Sequence, residues 1–228
     1  MTTKIIATLS LAGLALAASA TPATSQSTLP ASPAPLAATD TAGLGAGPNA
    51  RMHMLFEKTF LGVDILRLDV RLGPEETSRI ADLRGRGDVA GQAMRDSVAG
   101  IALDARDAWA RIEFQRNIGV GRFLDGIRDN MRRATRAGII TPSTYRTVSD
   151  ALPAWYAFLD GRGIREGDRM YYRIRGDSLH TAYVGVEGDT LLDQTDVGPE
   201  RRLSLLGGYF APETDFREPL VDSLLGAD

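Results

Sequence analysis

A polar side chain inside an apolar helical stripe is where this sequence has most scope for chemistry, and Asn130 is such a residue. It lies seven positions after Phe123 and three after Ile127, so its amide shares their helix face. An amide in that setting must be hydrogen-bonded, either to the protein itself or to a guest molecule. The sequence leaves both options open. Other signals are weaker. The two histidines, His53 and His180, have no converging carboxylate and nucleophile in any recognisable motif, so neither reads as a zinc ligand or a triad member. Arg169, Arg173 and Arg175 recur along one predicted strand and could hold an anion, but they equally describe the solvated face of a sheet. Arg86-Gly87-Asp88 matches an adhesion tripeptide that three common residues produce readily by chance. There is no cysteine, which excludes disulfides, thiolate metal sites and a nucleophilic thiol. Nothing in the sequence calls for a cofactor or a metal.

The elements that must position these groups follow from periodicity. Leu55 to Leu72 reads as extended chain, with Leu66, Leu68, Val70 and Leu72 alternating against Arg67, Asp69 and Arg71. Pro74-Glu75-Glu76 opens a short helix. A second helical stretch, 88–106, has Asp88 as its expected N-cap and Met94, Val98, Ile101, Ala102 and Ala105 at helical spacing. Trp109 to Arg116 alternates again. The strongest helix runs from Val120 to Arg136, with Val120, Phe123, Leu124, Ile127, Met131 and Ala134 in one stripe and Gly138 as its stop. Thr141-Pro142 starts another, expected to break or kink at Pro153. Residues 169–192 read as three strands joined by turns at Gly176-Asp177 and Glu187-Gly188-Asp189. Helices follow from Gly198-Pro199 and over Thr214 to Leu225. Antiparallel strands with helices on one face make an α+β domain.

The first fifty residues read differently. Met1 to Ala20 has a short basic start, an apolar run from Ile5 to Ala17 and a small-x-small ending at Ala18-Ser19-Ala20, the pattern of a cleaved secretory signal. Thr21 to Ala50, rich in Ala, Pro, Ser and Thr, reads as a disordered tether, leaving 51–228 as the folded domain. A periplasmic or secreted product with no integral membrane segment after processing is expected. The formal charge is −3, and loss of Lys4 with the signal makes it −4. Such a balance gives no electrostatic case for nucleic acid.

Taken in order, several segments resemble the chalcone isomerase superfamily. FLGVDILRLDVRL is similar to its opening hairpin, and RIEFQRNIGVGRFLDGIRDN to the strand and helix that carry its tyrosine and asparagine. GIREGDRMYYRIRGDSLHTAYVGVEGDTLL is similar to its later strands, and LSLLGGYFAPETDFREPLVDSLL to its closing helices. The resemblance implies an open-faced β-sandwich: an antiparallel sheet covered on one face by helices, with a ligand cleft. Plant members cyclise chalcones, others bind fatty acids, and some are non-catalytic helpers. By spacing, the family's asparagine falls on Asn130, its Ser/Thr on Ser204, and its tyrosine on Phe123, which has no hydroxyl. An ungapped hairpin puts its threonine at Leu66 and its arginine at Met54, while a shift of three brings Arg51 to the arginine position.

Loss of one well-placed donor costs about a hundred- to a thousandfold in rate. The substitutions therefore point to a non-catalytic domain that binds a small apolar or amphipathic ligand, such as a fatty acid or flavonoid-like molecule. Asn130 and Ser204 are its expected anchors, Phe123 part of its wall, and Arg67 or Arg116 a charge partner. The alternatives are an active isomerase or intramolecular lyase using Ser204, Asn130 and a relocated arginine, and an envelope scaffold without a ligand.

Overall fold

The computed structural model describes residues 49–57, 64–87 and 89–226. The expected signal peptide, nearly all of the expected tether and the expected cap Asp88 lie outside the described residues.

The alternating runs form six strands: β1 Arg51–Glu57, β2 Asp64–Leu72, β3 Asp107–Phe114, β4 Arg169–Arg175, β5 Ser178–Val184 and β6 Thr190–Val197. They pair in chain order as one antiparallel meander. Side chains alternate between the two faces of a sheet, so register decides which rows form. Met54, Leu68, Ile112, Met170, Tyr183 and Leu192 stand in one row across all six strands. The neighbouring inward row ends Tyr172, Thr181, Gln194, and the next ends Ile174, Leu179, Asp196. Two of these three inward rows thus end in a polar residue at β6. Gly176, at φ 59, makes the tight β4–β5 turn in a conformation that a side chain would strain.

Six helices are described, and they cover the inward face: α1 Pro74–Arg86, α2 Gly91–Leu103, α3 Val120–Arg136, α4 Pro142–Trp155, α5 Pro199–Phe210 and α6 Arg217–Leu225. The stripe of α3 buries Leu124, Met131 and Ala134. Thr141 caps α4, its hydroxyl accepting from the Thr144 N–H at 3.0 Å, with Pro142 in the first turn. Two local expectations are corrected. The N-cap of α2 is Ala90, with no side-chain cap bond, because the helix starts three residues beyond Asp88. Helix α4 also continues through Pro153 to Trp155 and so does not break there, ending two residues beyond a position that has no N–H to give the helix. Helix α6 is fastened by Ser223, whose Oγ accepts from the His53 N–H at 2.9 Å, and by an Arg95–Asp222 ion pair at 2.6 Å.

The other sheet face is charged but only partly solvated. Asp69 is buried there and accepts from Arg51 at 3.0 Å and Arg111 at 2.7 Å. Burial raises its pKa, but the two guanidiniums outweigh that and hold it below the usual value. Of the three arginines expected on a solvated face, Arg175 is exposed and Arg169 half-buried. Arg173 is buried, with its guanidinium 3.3 Å above the Trp109 ring and paired to Asp107.

Candidate ligand-binding site

Between the β4–β6 half of the sheet and helices α3, α4 and α5 lies a cavity of about 120 Å³. Its floor is the inward side of β4–β6, from Tyr172, Leu179 and Thr181 to Leu192, Gln194 and Asp196. Its roof is made by Ile127, Asn130 and Met131 of α3, Val148, Leu152 and Trp155 of α4, and Arg201, Ser204, Leu205, Gly208 and Tyr209 of α5. The inner residues Met131, Val148, Leu152, Tyr156, Tyr172 and Leu179 are buried, whereas Trp155, Leu192, Gln194, Asp196 and Arg201 are half-buried. The cavity is therefore greasy inside and polar at a rim along β6.

Asn130 and Ser204 both line this cavity. Asn130 is half-buried, and among the described residues its amide makes no side-chain hydrogen bond. Ser204 is 8% exposed, and its Oγ is buried with no hydrogen-bond partner there. Orphaned buried hydroxyls are uncommon, because the lost hydration is not repaid.

The remaining expected site residues lie elsewhere. Phe123 does not line the cavity. It stands behind Tyr156, edge-on at 5.2 Å, and also against Phe114 at 5.8 Å. Arg67 sits between inward-facing Leu66 and Leu68, so strand alternation turns it to the opposite face. Arg116 is exposed in the bend after β3. Neither hairpin register brings an arginine to the cavity: Met54 and Leu66 are core residues, and Arg51 is engaged with Asp69 on the far face.

Three tyrosines were not anticipated. Tyr156, Tyr172 and Tyr209 all line the cavity. The Tyr156 and Tyr172 hydroxyls are 3.5 Å apart, and the Tyr172 hydroxyl donates to Met170 Sδ at 2.6 Å. Burial raises all three pKa values above the usual phenol range, so these groups stay protonated at neutral pH. They can donate hydrogen bonds but cannot serve as bases. Arg201 was also missed, although it is three residues before Ser204 and so shares its helix face. Gln194 and Asp196 carried a further signal, polar residues at the parity of inward-facing Leu192.

No protein-family model matches the chain, and no curated protein matches it. Solved structures do: 38 chains match, including the crystal structure of a fatty-acid binding protein of Arabidopsis thaliana. That structure aligns with a TM-score of 0.54 over 77% of this chain and 88% of its own, at 14% sequence identity. The likeness is one of fold, and the fold is the chalcone-isomerase-like α+β sandwich, an antiparallel sheet covered on one face by helices. No helix among the described residues is long and apolar enough to cross a membrane.

Proposed function

We propose that this protein is exported and binds a small apolar or amphipathic molecule, without catalysis, in the cavity between β4–β6 and helices α3–α5. The observation that carries the reading is the cavity itself, an apolar hollow bordered by the unpartnered Ser204 hydroxyl. Protein interiors close such spaces unless something needs them. A scaffold without a ligand predicts a filled interior, and here about 120 Å³ stays open. The fold likeness to a fatty-acid binding protein supports the same reading. Of the family's polar set, the hairpin brings no arginine to the cavity and Phe123 carries no hydroxyl, so the isomerase alternative would have to draw on Arg201 as its relocated arginine.

Size limits the guest. An engineered apolar cavity of about 150 Å³ takes up benzene, so this one holds roughly six carbon atoms before a longer tail must project or the wall must move.

Protein purified from its own host and sprayed intact under native conditions should carry an added mass of lipid or aromatic size. Consistently empty spectra, with no thermal shift from fatty acids or flavonoids, would remove the proposal. Export rests on the Met1–Ala20 pattern, and N-terminal sequencing of the periplasmic or secreted fraction should begin at Thr21. A cytoplasmic protein retaining Met1 would refute that part.

A further inference from the structure

Among the described residues, Arg201 is the only cation in the cavity lining. It belongs to the first turn of α5, and its guanidinium lies over the Trp155 ring, Cζ 3.7 Å from the ring centre. The indole fixes the plane of the guanidinium but does not itself accept from the in-plane N–H groups. The Nε edge faces Asp196 Oδ1 at 3.9 Å, too far for a hydrogen bond. Nη1 is buried and has no hydrogen-bond partner. One helical turn on, the Ser204 hydroxyl is in the same condition.

A buried guanidinium N–H without an acceptor is among the more costly arrangements in a folded protein. Two unmet donors on one helix face, at the side of an apolar hollow, favour a guest that supplies only acceptors. A carboxylate does so, and it fits the planar fork of arginine better than a neutral hydroxyl or ester. One guanidinium opposed by one nearby carboxylate also favours a single negative charge over a doubly charged headgroup.

We propose that the guest is a carboxylate-headed amphiphile whose head sits on Arg201, with Ser204 beside it, and whose apolar tail runs inward towards Leu152 and Tyr156. This rests on the binding function proposed above and adds the headgroup class and the residue that reads it. The headgroup site belongs to α5 and the β6 rim, far from the opening hairpin where the resemblance put an arginine. Asp196 acts as a competitor for the same guanidinium and weakens binding.

The test is calorimetric titration of the full chain with octanoate, 1-octanol and methyl octanoate, on the native protein and on Arg201→Gln, Arg201→Lys and Asp196→Asn. Octanoate should bind the native protein about tenfold tighter than either neutral analogue, the scale of one charge-assisted pair. Arg201→Gln should remove that advantage, and Arg201→Lys should fall between, since it keeps the charge but not the fork. Asp196→Asn should tighten octanoate by about threefold relative to 1-octanol. Equal affinity for octanoate and 1-octanol in the native protein, or octanoate binding unmoved by Arg201→Gln, would overturn the headgroup assignment while leaving the cavity function intact. Binding of none of the three probes would overturn both. If Arg201→Gln does not fold, the native comparison and the Asp196→Asn arm still decide, because neither disturbs the Trp155 stack.

Discussion

Asp168 is fully buried, and its two oxygens take five hydrogen bonds. Arg162 donates twice, at 2.6 and 2.8 Å, the Tyr183 hydroxyl once at 2.8 Å, and the Arg165 and Val186 N–H groups at 2.8 and 2.9 Å. Burial alone would raise its pKa, but Arg162 and the other donors outweigh it and bring it down to about 2 from 3.8. A carboxylate depressed in the folded state stabilises that state above its unfolded pKa, and the contribution fades as pH falls from about 5 towards 2. The gap amounts to ~2 kcal/mol. Asp69, also held low, acts in the same direction. Asp168→Asn should therefore cost ~3–5 kcal/mol at pH 7 by leaving Arg162 buried against a neutral partner. Urea melts at pH 7 and pH 3 should show the difference between native and variant shrinking in acid. A difference independent of pH would mean that the charge of Asp168 does not matter. At this scale the sequence was only partly legible. Asn130 could be read because its position follows from helix spacing, whereas Ser204 was reached only through the family resemblance. Arg201 could not, because a single arginine in a first turn looks like any solvated charge until Trp155 and β6 are brought beside it.

At the scale of elements, Gly207 of α5 packs against Ala134 of α3 and Ile139 just after it. A Cβ there would stand 3.0 Å from Ala134 Cβ and 3.1 Å from Ile139 Cγ2. Its neighbour Gly208 borders the cavity, and a Cβ there would meet Asn130 Cβ at 3.9 Å, an ordinary contact. The two glycines should therefore respond in opposite senses. Gly207→Val should lose ~1–3 kcal/mol through overpacking. Gly208→Ala should gain up to ~1 kcal/mol from helix propensity while narrowing the cavity by a methyl group. Denaturant midpoints for the pair check this, and a Gly207→Val protein as stable as the parent would contradict the close helix approach. Periodicity carried most of the element reading. The stripe from Val120 to Ala134 gives α3 its observed bounds, and alternation in β2 gives the right inward set. It failed where local chemistry was silent. Nothing in the sequence marks Ala90 as a cap, and the inward polar positions of β6 run past residue 192, where the expected strand stopped.

For the molecule as a whole, the question is why one region of a packed interior is left open. Elsewhere the core closes tightly around fully buried Phe114, Tyr183, Leu159 and Phe210. By the measured dependence of stability on void volume, about 120 Å³ of unfilled space costs at most about 3 kcal/mol, less to the extent that the rim admits water. A guest at a hundred times its dissociation constant would return ~2.7 kcal/mol, so an occupied cavity is close to neutral and an empty one is a standing weakness. Replacing a lining side chain with a larger apolar one should then separate stability from binding. Leu152 is buried and lies on the inner wall, away from Arg201 on the rim. Leu152→Phe should hold the ligand-free stability within ~1 kcal/mol of the native protein or raise it, because the ring has space to enter. It should also abolish the thermal shift given by octanoate, with Arg201 and Ser204 untouched. A variant that loses more than ~2 kcal/mol and still binds octanoate would show that the hollow is closed in solution and the guest sits elsewhere.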